Sequence, residues 1–225
     1  DSTDANVITF AIDKKAHYTA ENISFNPEGY PKFMLNIKGE SLYPVQLRVM
    51  GKHNVYNALA SIASSHALGV PIETILDAIQ SYKGVQRRLE LKGVKNGIRI
   101  IDDYAHHPTE IKASLDALKN STSGLIWCVF QPHTYTRTKL LLDDFIQSFS
   151  QADKVIIPDI YAAREKDSGL IHSIDLVNAL IEKGIDAKYI SSFEEIESYL
   201  LDKVQNGDVI VTMGAGNVYT IGESL

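Results

Sequence analysis

The chain has 225 residues, 44% of them hydrophobic and 22% charged, with a formal net charge of −6. This is ordinary globular composition, enough for one large or two modest domains. The acidic balance lacks the basic footprint of a nucleic-acid or anionic-lipid binder, so no nucleic-acid partner is expected. No apolar run reaches the ~18 residues of a membrane-spanning helix, so no membrane insertion is expected. The one cysteine, Cys128, sits in the apolar run Leu125-Ile126-Trp127-Cys128-Val129-Phe130. It reads as a buried small hydrophobe, and the lack of any internal disulfide fits a reducing, cytoplasmic setting.

The N-terminal Asp1-Ser2-Thr3-Asp4 has no basic or apolar leader pattern, so no signal peptide is expected. The chain opens into a strand-like Val7-Ile8-Thr9-Phe10, as though cut within a domain. Residues 7 to about 50 read as short β segments, with Tyr18–Phe25 and Phe33–Ile37 joined through the turn Asn26-Pro27-Glu28-Gly29. After Gly51 the period becomes helical, with Val55, Leu59, Ile62, Ala63 and His66 on one stripe ending at Gly69. Pro71 opens a second helix with Ile72, Ile75, Leu76 and Ile79 inward, and Gly84 breaks it. A domain boundary is expected here, dividing the chain into residues 1–86 and 87–225.

Beyond it strand and helix alternate. Strands are predicted at Ile98–Ile101, Leu125–Phe130, Val155–Ile157, Ala187–Ile190 and Val209–Thr212. Helices are predicted from Pro108, over Thr138–Phe149, over Ser173–Lys183, and over Glu194–Lys203 behind a Ser192-x-x-Glu195 capping box. Five β segments separated by helices imply an α/β fold with a doubly wound, mainly parallel sheet. Ligands of such sheets sit beyond the carboxyl ends of the strands. Four polar clusters follow predicted strands: 102–107, 131–137, 159–167 and 214–217.

Each cluster has a functional and a plain reading. Asn54 and Asn57, one turn apart, can offer amides to a purine, or belong to an ordinary helix start with His53 or Asn54 as its cap. Arg87 and Arg88 can clamp a phosphate or form a solvated face. In Asp102-Asp103-Tyr104-Ala105-His106-His107-Pro108-Thr109-Glu110, carboxylates at a strand end can hold a ribose diol or a magnesium ion. The histidines sit at a helix start; zinc is disfavoured because the i, i+4 spacing of helical sites is missing. The alternative is a polar turn with a capping residue. His133 and Arg137 can bind a carboxylate. Arg164, Glu165, Lys166 and Asp167 match a zwitterionic amino acid, or make a solvated loop. Gly214-Ala215-Gly216 is a weak phosphate-cradle signal, without the full G-x-G-x-x-G spacing.

Taken in order, G-K-H-N-V-Y-N-A, Q-R-R-L-E, D-D-Y-A-H-H-P-T-E, F-Q-P-H-T-Y-T-R-T-K and M-G-A-G-N resemble the motifs of the Mur ligases, over nearly the whole chain from about Thr9. The resemblance implies a Rossmann-like C-terminal, amino-acid-binding domain preceded by the tail of the central, ATP-binding domain, which is β strands plus two helices. It also implies ATP-dependent amide formation through an acyl phosphate, in peptidoglycan precursor synthesis. The two longer motifs are most like those of the member that adds L-alanine to UDP-N-acetylmuramate, so UDP-N-acetylmuramate, L-alanine and ATP are the expected partners. By the same resemblance His53, Asn54, Asn57, Arg88 and Asp103 would bind ATP, and His106 and Arg137 would serve catalysis. Tyr104, His107, His133, Arg164 and Glu165 would bind substrate. No G-x-x-x-x-G-K-S/T loop occurs, and Mg2+ would be held chiefly by residues outside this sequence. Asn217 stands where related chains often carry aspartate, which weakens the case for that turn. The fragment alone is therefore expected to be inactive. A recycling ligase for a whole tripeptide and a non-catalytic nucleotide-binding module are the alternative readings; oligomeric state is left open.

Overall fold

The computed structural model describes residues 5–225; Asp1–Asp4, read above as lacking a signal peptide, lie outside them. Two compact units are present, Asp1–Gly84 and Val85–Leu225. In the first, β1 (Phe10–Ala11), β2 (Tyr18–Phe25), β3 (Pro31–Ile37) and β4 (Ser41–Gln46) form a sheet in that order. β1 pairs parallel to β2 and the remaining pairs are antiparallel. β3 alternates, sending Pro31, Phe33, Leu35 and Ile37 inward, as the two-residue strand period requires. The turn before it is tied by the Asn26 side chain, which accepts from the Tyr30 N–H at 2.8 Å. The strand predicted from Val7 begins only at Phe10, since Val7 and Ile8 are exposed and gain no burial from pairing.

Helices α1 (Lys52–Ala67) and α2 (Ile72–Ser81) cover this sheet. Val55, Leu59, Ile62 and Ala63 fall on one face of α1 and are buried with Ile72, Ile75 and Leu76 of α2. His66, expected on the inward stripe, is half-buried, and its Nδ1 pairs with the Tyr18 hydroxyl at 2.9 Å.

The second unit is a six-stranded sheet of β5 (Glu90–Lys95), β6 (Ile98–Asp103), β7 (Ile126–Phe130), β8 (Lys154–Ile157), β9 (Ala187–Tyr189) and β10 (Val209–Met213). Its order is β5-β6-β10-β7-β8-β9, parallel throughout except for β5. The antiparallel edge strand β5 escaped prediction because Glu-Leu-Lys-Gly-Val-Lys is largely exposed and loses its register at Gly93, leaving no clean alternation. α3 (Pro108–Lys119), α6 (Ser173–Glu182) and α7 (Phe193–Lys203) follow the predicted segments. The helix predicted over Thr138–Phe149 is instead two, α4 (Tyr135–Leu140) and α5 (Leu142–Ile146). The turn at Leu141 leaves Leu140 exposed while Phe145 and Phe149 both pack on Phe130. Ser192 accepts from the Glu195 N–H, one arm of the predicted capping box. A last helix, α8 (Tyr219–Ser224), was not foreseen.

Strand register defines the rim. Asp103, Met213 and Phe130 end β6, β10 and β7 side by side. The segments that leave them therefore emerge together, with the turn after β10 between the other two.

Candidate functional site

In the first unit, Asn54 and Asn57 line a cavity of about 390 Å³ with Leu47, Ala58, Ile79 and Tyr82. The amides are linked to each other, Asn57 Nδ2 donating to Asn54 Oδ1 at 2.9 Å, and Asn54 Nδ2 donates to the Met50 carbonyl at 2.8 Å. No side chain caps α1, whose N-cap is Gly51, so the capping reading of His53 and Asn54 fails. His53 sits beside the Asn54 amide at 3.2 Å but does not line the cavity.

In the second unit, Asp103 is buried at the end of β6. Its carboxylate accepts from the Ala105 N–H at 2.7 Å, the Leu89 N–H at 3.2 Å and the Ser114 hydroxyl at 2.8 Å. Burial raises its pKa, and these hydrogen bonds and the charge of Arg88 only partly oppose the rise. Asp103 thus shapes the turn that follows β6 through these three donors. Tyr104 is exposed on that turn.

His107 caps the helix that follows. Its Nδ1 accepts from the Thr109 N–H at 3.3 Å while Glu110 accepts from the His107 N–H, a reciprocal cap of α3. The residue itself is exposed. The neighbouring His106 is half-buried, and its Nδ1 lies 2.9 Å from the Tyr104 carbonyl. Since a carbonyl only accepts, Nδ1 carries the proton in this contact, and Nε2 is the acceptor when the ring is neutral. Glu110 gathers the backbone N–H groups of His106 and His107 and faces Arg88 at 3.5 Å. Burial alone would raise its pKa, yet these donors and charges bring it below the usual value.

On the second strand end, the His133 ring stacks on Tyr161 at 5.6 Å and lies 6.1 Å from the His106 ring. Arg137 Nη1 is 3.5 Å from His133 Nδ1. Burial, then the charges of Arg137 and His106, hold the His133 pKa below the ordinary imidazole value. Arg137 itself is half-buried, and no carboxylate among the described residues lies within ion-pair distance of it.

On the third strand end, Glu165 accepts from the Thr136 N–H and hydroxyl, which hold its pKa down. It is committed to the first turn of α4, while Arg164 is exposed. Lys166 and Asp167 are exposed as well, so Glu165 is the member of the Arg164–Asp167 stretch that is tied to the helix.

Gly214 and Gly216 are explained by packing. A Cβ on Gly216 would lie 2.3 Å from Gln131 Oε1 and 2.8 Å from the Tyr161 ring. At Gly214, with φ +146°, it would meet the Gln131 carbonyl at 2.8 Å. Buried Gln131, which also accepts from the Val218 N–H, was not foreseen as the organiser of this turn. Nor was Glu110, although His107-x-x-Glu110 is a capping-box spacing the sequence displays. Among the described residues no group of three or more His, Cys, Asp or Glu is placed to hold a metal ion.

The second unit thus collects arginines and histidines on the carboxyl rim of a doubly wound sheet, and the first holds an amide-lined cavity; comparison with known proteins supplies the family. Residues 87–216 match the Mur ligase glutamate ligase domain and residues 1–65 the Mur ligase middle domain, so the chain belongs to the Mur ligase family. The chain is 53% identical over 219 residues to the UDP-N-acetylmuramate–L-alanine ligase of Acetivibrio thermocellus, covering 97% of this chain and 47% of that protein. To the enzyme of the same name from Clostridium acetobutylicum it is 50% identical over 218 residues, with the same coverage of 97% and 47%. Among solved structures it is similar to the UDP-N-acetylmuramate–alanine ligase MurC of Thermotoga maritima, with a TM-score of 0.80 and 28% identity over 96% of this chain and 46% of that one. It is also similar to a murein peptide ligase of Psychrobacter arcticus, with a TM-score of 0.66 and 29% identity over 96% and 45%. The chain thus spans about half the length of the curated relatives it matches.

Proposed function

We propose that this chain is the C-terminal portion of a ligase that uses ATP to join L-alanine to the carboxylate of UDP-N-acetylmuramate. The observation that carries the proposal is the half-buried Arg137 guanidinium, unpaired with any carboxylate among the described residues, beside an imidazole held below its ordinary pKa. A cation so placed suits the carboxylate of an amino acid, and a neutral imidazole suits its ammonium group. The curated relatives that are about 50% identical carry the L-alanine ligase name, which supports the choice of acceptor.

In this reading residues 1–86 are the end of the ATP-binding domain and residues 87–225 the amino-acid-binding domain. Asn54 and Asn57 hold adenine in the first unit's cavity, whose ~390 Å³ suits a purine, with His53 steadying the Asn54 amide. Arg88 meets phosphate oxygens. A carboxylate oxygen of the muramate attacks the γ-phosphorus and ADP departs, leaving an acyl phosphate. The amine of L-alanine then attacks the acyl carbon, the carbon–oxygen bond to phosphate breaks, and the amine loses a proton. His106, with Nε2 as acceptor, is placed to take that proton, and Arg137 to hold the negative charge of the amino acid. Tyr104 and Arg164 complete the substrate surface. Mg2+ belongs to the proposal as a companion of the ATP phosphates, with ligands outside this sequence. The enzyme would work in the cytoplasm, and no helix among the described residues is long and apolar enough to cross a membrane.

The test is ADP release by the full-length enzyme with UDP-N-acetylmuramate, comparing L-alanine with the murein tripeptide. Turnover with L-alanine supports the proposal. Preference for the tripeptide would transfer the chain to the recycling reaction, a reading kept open by its likeness to the murein peptide ligase. Without a phosphate-binding loop in its sequence, the 225-residue chain alone is expected to release no ADP.

A further inference from the structure

We infer that Arg87 is a positioning residue which fastens three rim segments together and thereby presents Arg88; the inference rests on the ligase reading above. Its Nε donates to Asp102 at 3.0 Å and its Nη2 to the Gly214 carbonyl at 2.7 Å. The guanidinium lies over two aromatic rings, 4.9 Å from the centroid of Tyr104 and 4.6 Å from that of Tyr219. Asp102 is buried and holds its other oxygen against the Thr212 hydroxyl at 2.7 Å. One side chain therefore spans the segment at 87–90, the strand end at 102–104 and the turn after β10.

The backbone agrees. Arg87 and Leu89 both adopt left-handed conformations, with φ +58° and +46°. The Arg87 carbonyl accepts from the Tyr104 N–H at 2.6 Å and its N–H donates to Glu90 at 2.8 Å. With Arg87 turned inward and Leu89 buried, the residue between them is sent outward: the Arg88 side chain is 48% exposed against 23% for Arg87. Arginine is suited to this place because only a planar fork reaches two acceptors while stacking between rings; a lysine ammonium does not.

Two measurements test it. In the 225-residue chain, Arg87→Met is expected to speed amide exchange at Tyr104 and Gly214 about tenfold or more, without change in β7, whereas Arg88→Met leaves all of these as they were. In the full-length enzyme, Arg87→Met is expected to raise KM for ATP about tenfold with KM for L-alanine within about twofold, and Arg87→Lys to fall between. Should Arg87→Met fail to fold, Tyr219→Ala removes one face of the stack and is expected to give the same pattern at smaller amplitude. Unchanged exchange at Tyr104 and Gly214, or a loss of activity with KM for ATP unaltered, overturns the inference. A wild-type enzyme that releases no ADP with any acceptor overturns the ligase reading instead, while the exchange comparison still decides the fastening on its own.

Discussion

Arg137 and His133 are coupled by proximity, and the coupling has a sign. Because burial and the Arg137 charge hold the folded pKa of His133 below its ordinary 6.5, the unfolded chain takes up that proton first. Stability from this residue is therefore complete above about 6.5 and is lost as pH falls from there through the folded value. Substitution of His133 by Gln is expected to flatten the fall in urea midpoint between about pH 7.5 and pH 5; an unchanged slope would contradict the assigned environment. Arg137→Met in the full-length enzyme is expected to lower kcat/KM for L-alanine on the order of a hundredfold, and Arg137→Lys to restore little of it. Asp103 tests a different relation. Replacing it with Ala strands the Leu89 and Ala105 N–H groups and the Ser114 hydroxyl, and should cost about 2–4 kcal/mol in a denaturant titration.

At the scale of elements, the turn after β10 is set by what surrounds it. Gly216→Ala drives a methyl group into the Gln131 amide and the Tyr161 ring and is expected to destabilise by about 1–3 kcal/mol. Thermal melting that matches wild type would refute the close approach. The segments legible in the sequence were those with a clean period: α1 and α2 with their apolar stripes, and the central strands β7 and β10, buried along their whole length. β5 was not legible, because an edge strand with its residues in solvent carries no alternation to read. The polar rim was readable as a set of clusters following strands. Which members are engaged within the fold was not, since sequence gives a residue's type and spacing but not which backbone donors it meets. Asp103, His107 and Glu165 each accept from backbone N–H groups close by.

For the whole molecule, each unit has a core of its own. Phe33, Leu35, Leu59 and Ile62 centre the first, and Trp127, Val129, Ile156 and Ile210 belong to the core of the second. Residues 85–225 expressed alone are expected to fold cooperatively, with a single thermal transition by calorimetry; a broad, non-cooperative melt would show that they depend on the first unit. At the base of the sheet, away from the rim, buried Asp208 accepts from the Trp127 indole at 3.0 Å and from the Leu125 and Gln205 N–H groups. Trp127 is the chain's one tryptophan. The molecule thus carries a built-in optical reporter for one unit only: indole emission follows the opening of residues 85–225, whereas far-ultraviolet dichroism sums the helices of both. Separation of the two curves along a urea titration would read out how independently the units unfold, without a label.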